Sequence, residues 1–273
     1  GEQIMWEALP AVARAVPASV DGKTLTFAEP IAAPKLNWYS TAVVVAGKGL
    51  GQYRQIMTYD KKTRTATLTR PWDVDPDAGS TIRIARPVMR AVVYRNRLDA
   101  KPRAHRSEHH IASCGVEPFG ASVELIVDGN TFHELRSGIA TFSLGGKGGP
   151  APTLFNYYAN NVFDTVRRGQ VNNGPTLGVV SRRNRMKDVV LTGFRVNVKG
   201  KAGRAAMAMN AFEHNRFENV PVAIRAGTAK HPGAIADLLF YRNELGDAAV
   251  ECGDPSMLIL RDNRPAAKAR RAE

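Results

Sequence analysis

One short phrase recurs along most of the chain: an asparagine, any residue, then a large apolar residue. It stands as Asn96-Arg97-Leu98, Asn130-Thr131-Phe132, Asn161-Val162-Phe163, Asn184-Arg185-Met186, Asn215-Arg216-Phe217 and Asn243-Glu244-Leu245, and Asn263 closes the series. The six intervals from Asn96 to Asn263 average about 28 residues. A period of that size marks a repeat architecture, in which each unit buries its apolar face only against its neighbours. The intervals carry alternating strand-like stretches such as Ala121–Val127, Val189–Val198, Val220–Ile224 and Met257–Leu260, while a 3.6-residue helical period is hard to find.

In an extended segment the asparagine and the apolar residue share one side, and the residue between them faces the other. The apolar residue then fills an interior. A buried amide is costly unless paired, and a stack of identical amides satisfies itself from coil to coil. The chain therefore reads as a parallel β-solenoid with coils stacked about 4.8 Å apart. A leucine-rich repeat would need its LxxLxL consensus and a helical repeat its paired amphipathic helices; both patterns are missing.

On these phrases residues 91–265 resemble the right-handed parallel β-helix family, of the pectate-lyase-like kind (the pectin-lyase fold). The resemblance covers about two thirds of the chain. It implies an all-β fold, a right-handed parallel β-helix of about six coils preceded by a small antiparallel β module. It is specific for fold and weak for activity, because the family's coils recur in lyases, hydrolases, epimerases and phage tailspikes. At 4.8 Å per coil the solenoid would be about 29 Å long. That length, with a start at Gly1 and no signal-peptide pattern in Gly1–Pro10, sets the expectation of a piece of a longer protein.

Residues 1–90 follow a different pattern. Strand candidates Thr24–Phe27, Ala42–Ala46, Gln52–Tyr59, Thr65–Thr69 and Thr81–Ile84 are separated by turn residues at hairpin spacing. Gly49–Ile56, followed by Arg70–Val74 and Pro76-Asp77, resembles a segment of large bacterial and phage β-helix proteins that forms a barrel-like unit. Its expected role is to cap an open solenoid end or join it to further coils. Gly47–Gly51 and Gly145–Gly149 lack the spacing of a phosphate loop and are read as bends. Residues 266–273 have no core pattern and read as a frayed tail.

The chain has 273 residues, with 38 Lys and Arg against 25 Asp and Glu, a net charge of +13. Such an excess points to a polyanionic partner. No apolar run approaches the roughly 20 residues that cross a bilayer, so a membrane is not expected. No helix-turn-helix, zinc finger or RNA-binding sheet appears, which leaves charge as the sole argument for nucleic acid. Cys114 and Cys252 form no CxxC pair; two buried thiols are preferred over one long-range bridge.

The residues on either side of each ladder asparagine are Arg at seven of fourteen positions. Stacked coils would line up Arg95, Arg97, Arg183, Arg185, Arg216 and Arg242 as a basic wall suited to a linear polyanion, since Arg gives planar bidentate contacts. Three residues after each asparagine stands a mixed column, Asp99, His133, Asp164, Lys187, Glu218 and Gly246. A polysaccharide lyase needs a cation for the uronate and a base for its C5 proton, which selects Lys187 and His133 beside Arg185 as catalytic candidates, with Asp164. Asp164 and Glu218, two coils and about 10 Å apart, are the loose hydrolase alternative. The plain alternative is a salt-bridge ladder between coils.

The segment Arg103–His110 holds three histidines; His105 and His109 are candidate substrate contacts, and its spacing does not make a zinc site. Phe155-Asn156-Tyr157-Tyr158 offers either sugar platforms or apolar filling. The residues ask for no cofactor; Ca2+ enters through the resemblance alone. The expected function is cleavage of an acidic polysaccharide, by β-elimination or hydrolysis, outside the cell or on its surface. The alternative is a polysaccharide-binding or structural solenoid without catalysis. The column and the basic wall do not choose between them.

Overall fold

A computed structural model describes residues 3–31, 36, 39–102, 104–106, 113–142, 145–146, 149–197, 207–227, 237–265 and 269–271. Among them the regular structure is β-strand, with two short 3-10 turns at Ala104–Arg106 and Pro255–Met257. The repeat region is a parallel β-helix whose coils run through four walls. Coil by coil, wall A (Cys114–Phe119) leads to wall B (Ser122–Val123), wall C (Ile126–Asp128) and wall D (Thr131–His133), then back to wall A at Ser137–Phe142. Walls A, B, C and D hold eight, five, seven and five strands. Neighbouring coils pair in parallel, as in Leu98↔Phe132↔Phe163↔Met186↔Phe217 along wall D, with one register shift on wall A between Val222 and Ile224.

The asparagine phrase explains the corner between walls C and D. Six of the seven ladder asparagines are buried, from Asn130 to Asn263, and the first five of these donate from Nδ2 to Oδ1 of the next at 2.9 to 3.1 Å. The same Oδ1 also accepts the backbone N–H of the previous asparagine, as Asn161 Oδ1 does from Asn130 at 2.9 Å. Two residues on, Phe132, Phe163 and Met186 are fully buried in one continuous core, and Phe132 stacks on Phe163 with ring centroids 4.9 Å apart, one coil spacing.

The residue before each asparagine makes the bend, with positive φ: Arg95 +53°, Gly129 +69°, Asn160 +53°, Arg183 +53°, His214 +55°, Arg242 +49° and Asp262 +51°. Wall A begins with a second ladder that sequence reading missed, Gly115, Gly138, Gly169 and Gly193. A Cβ on any of them would come within 2.2 to 2.5 Å of the side chain of Phe132, Phe163, Met186 or Phe217 respectively. These glycines let wall A pass over the wall D rings.

The N-terminal module is a seven-stranded antiparallel sheet in the order Leu9–Ala15, Thr81–Arg86, Thr41–Ala46, Tyr53–Asp60, Thr65–Leu68, Thr24–Phe27, Pro17–Asp21. Its two edge strands are joined by Val16 alone, so the sheet must curl into a barrel-like unit around Leu25, Phe27, Val44, Ile56, Ile82 and Ile84. The segment resembling other β-helix proteins locks a loop onto this unit. Buried Arg54 reaches Asp73 at 2.9 Å and the Pro71 carbonyl at 2.7 Å beneath Trp72, and Gln52 Oε1 accepts the amides of Asp73 and Val74.

Three placements correct the sequence reading. The module, expected at a solenoid end, has Val43, Val45 and Tyr53 lying lengthwise along wall B against Val123, Leu154 and Leu177, because that wall is apolar on its outer face. Ile4–Glu7, assigned to the module, instead pairs with Cys114–Phe119 as the first strand of wall A. Ala269–Arg271, read as frayed, pairs with Ala249–Cys252 and anchors through Arg270 to Glu251 at 2.7 Å. Cys114 and Cys252 are both buried free thiols. No helix among the described residues is long and apolar enough to cross a membrane.

Candidate functional site

Wall D and its corner with wall C carry the residues singled out in the sequence. The register builds the mixed column as expected, Asp99↔His133↔Asp164↔Lys187↔Glu218. Asp164 sits between the two catalytic candidates, with His133 Nδ1 at 3.6 Å on one oxygen and Lys187 Nζ at 4.0 Å on the other. Lys187 also lies 3.6 Å from Asp188. The three groups are thus brought together, in a ladder that alternates carboxylates with basic side chains.

Arg185 forks onto Glu218 at 3.1 and 2.7 Å, and Arg216 reaches the same carboxylate at 2.7 Å and Glu244 at 3.7 Å. The Arg185 hydrogen bonds, with the Arg216 and Lys187 charges, hold the Glu218 carboxyl below the ordinary carboxylate range. Glu218 is therefore ionised and unsuited to protonate a leaving group, which in glycoside hydrolysis needs a carboxyl pushed the other way. The outward carboxylates of this column are each engaged by a cation. Among the described residues no three His, Cys, Asp or Glu side chains gather as a metal site.

The bend arginines behave differently. Arg95 lies over the Tyr94 ring at 4.8 Å, and Arg242 over Tyr241 at 4.8 Å with Arg261 on the same ring at 5.8 Å. Sequence reading missed these aromatic seats, although the triplet Tyr-Arg-Asn occurs at both places, Tyr94-Arg95-Asn96 and Tyr241-Arg242-Asn243. Arg242 also faces Asp262 at 3.7 Å, and Arg97 pairs with Asp99 at 2.7 Å. Arg183 is exposed, and among the described residues no carboxylate engages it.

The basic wall is discontinuous. Gly129, Thr131, Asn160 and Val162 make a neutral saddle between Arg95 and Arg97 at one end and Arg183, Arg185, Arg216, Arg242 and Arg264 at the other. Beside the second patch, where the regular strands of wall D stop, two clefts open. One of about 610 Å³ is lined by Arg216, Glu218, Asn219, Glu244 and Asp247; the other, about 460 Å³, by Arg242, Glu244, Asp262 and Arg264.

His105 is not an exposed contact. It is buried, and its Nδ1 meets Glu134 at the next corner of the coil. His109 lies outside the described residues. Of the aromatic run, Tyr158 is fully buried on Asn156, whereas Phe155 is 39% exposed.

No protein-family model matches the chain, and no curated protein matches it. Among solved structures the chain is similar to the tailspike protein gp49 from Pseudomonas phage LKA1, at 8% identity and a TM-score of 0.29 over 89% of this chain. This chain spans 47% of the length of that tailspike.

Proposed function

We propose that this β-helix binds an acidic polysaccharide along the edge between walls C and D, chiefly at the patch from Arg183 to Arg264, without cleaving it. The observation that carries the reading is backbone strain. Arg95, Arg183 and Arg242 occupy left-handed bends that cost an L residue about 1 kcal/mol or more relative to glycine, and Gly129 shows that the same bend accepts glycine. Long cationic side chains at such positions make sense if they are used, and the Tyr241 ring holds Arg242 in a presented posture. The groups that lyase or hydrolase chemistry would use are, by contrast, engaged with one another.

The test is binding of polyuronate and sulfated oligosaccharides by calorimetry across a salt series, with ultraviolet detection of unsaturated uronate ends. Binding that falls as salt rises, with no new absorbance, is expected. Arg183→Gly should weaken binding about tenfold while stabilising the fold by about 0.5–1 kcal/mol. Sustained release of unsaturated ends, abolished by Lys187→Ala or His133→Ala, would return the lyase reading.

A further inference from the structure

Wall A carries arginines that belong to no repeated phrase. Arg168 stands in register between Ser137 and Thr192, and Arg195 stands in register between Val171 and Arg225. In a parallel sheet, in-register neighbours project from the same face. Cys114, in register with Ser137, packs in one cluster with Ala140 and Val171, so the row Ser137–Arg168–Thr192 shares the outer face of wall A with the row Val171–Arg195–Arg225, although the two rows stand three residues apart along the strands. Arg136 lies one coil before Arg168 and accepts its backbone N–H through its own carbonyl at 3.0 Å.

The charge in this cluster is uncompensated at two places. Arg225 is paired with Glu251 at 2.5 Å, and the other oxygen of that carboxylate is taken by Arg270. Among the described residues, the charged groups that act on Arg168 are Arg195, Arg136, Arg167 and Arg225, and those acting on Arg195 are Arg225 and Arg136, with no carboxylate among them. Both side chains are half-buried, and burial together with these like charges pushes the Arg168 guanidinium down to about 10. Like charges side by side on neighbouring strands, as at Arg195 and Arg225, are destabilising, so this face works against its own fold. Beside Arg168, Thr192 is 2% exposed and its buried hydroxyl has no hydrogen-bond partner among the described residues. A buried hydroxyl without a partner is itself costly.

We propose that the outer face of wall A is an anion site in which Arg168, Arg195 and the Thr192 hydroxyl hold one sulfate or phosphate group, rimmed by Arg136, Arg167 and Arg225. Two unmatched guanidiniums call for a dianion rather than a single carboxylate, and a tetrahedral oxyanion offers enough acceptors for both planar forks and the hydroxyl. The group is either a free ion or an ester on a glycan. This site lies on a different wall from the uronate-binding edge and does not rest on it.

The test compares thermal stability and calorimetric titration of the whole chain in sodium sulfate, sodium phosphate and sodium chloride at matched ionic strength, with a sulfated and a non-sulfated uronate oligosaccharide as further arms. A saturable rise in Tm with sulfate or phosphate beyond that with chloride is expected. Arg168→Gln and Arg195→Gln should each weaken that binding about tenfold, and Arg168→Lys, which keeps the charge and loses the fork, less than that. Without the anion, both Gln variants should be at least as stable as the parent, because each relieves repulsion. Arg183→Gly should leave the sulfate response intact. Saturation by the sulfated oligosaccharide alone assigns the ester as the source. Equal behaviour in sulfate, phosphate and chloride with neither oligosaccharide binding at wall A, or binding undiminished in both Gln variants, would overturn the site.

Discussion

Each interior asparagine of the ladder uses its whole amide inside the wall. Asn161 Oδ1 accepts from both the backbone and the side chain of Asn130, while its Nδ2 donates to the Val127 carbonyl and to Asn184 Oδ1. Asn161→Ala leaves the buried Asn130 backbone N–H and the Val127 carbonyl without these partners, at about 1–3 kcal/mol for each orphaned group. The expected loss is about 2–6 kcal/mol, read from denaturant unfolding. Asn161→Asp keeps the acceptor but cannot donate, and turns an oxygen toward Asn184 Oδ1. It should be no more stable than the alanine variant; an aspartate variant close to wild type would mean that the amide stack is not what holds the corner. The apolar position two residues on behaves as ordinary core, so its chemistry is interchangeable among Leu, Phe and Met in a way the asparagine is not.

At the scale of elements, the contact between module and solenoid is apolar at its centre and polar at its edge. Val43 sits among Val123, Leu154 and Leu177, and beside it Tyr53 of the module donates its hydroxyl to Glu124 at 2.5 Å. Glu124 also takes Arg90 at 2.9 Å. The Tyr53 hydrogen bond, with Arg90, holds the Glu124 carboxyl below its ordinary 4.5, while burial and Glu124 hold the Tyr53 phenol above its ordinary 10.0. The Glu124 contribution is present above about 4.5 and is lost as pH falls through the lower folded value. The Tyr53 contribution is present below about 10 and fades as pH rises through its higher folded value. Tyr53→Phe should therefore flatten both flanks of the Tm-against-pH curve and lower the plateau between them by about 1 kcal/mol. Flanks unchanged in the variant would place the pH sensitivity elsewhere.

Over the whole molecule, a net charge of +13 is distributed between columns where it is matched and faces where it is not. Exposed ion pairs such as those of wall D contribute about 0–1 kcal/mol each. Unmatched charge repels over a Debye length of about 10 Å at 0.1 M salt. Adding sodium chloride from dilute buffer to physiological strength should therefore raise Tm; a fall would show that ladder pairs outweigh the repulsion. The solenoid, its asparagine corner and five of the seven strands of the module were legible in the sequence alone, while the edge strands Leu9–Ala15 and Pro17–Asp21 were not. A buried amide stack tolerates one chemistry and an interior strand one polarity, so both leave a period that survives without coordinates. The mixed column of wall D was legible for the same reason, as positions at a constant offset from the asparagine. What a period does not contain is which column lies beside which. Only the folded chain joins Arg185 to Glu218, seats Arg242 on Tyr241, lays the module along wall B and gathers Arg168 and Arg195 with no carboxylate of the described residues acting on them. Those relations depend on bends and on coil lengths that vary from 20 to 34 residues, so they are settled by three-dimensional packing rather than by local pattern.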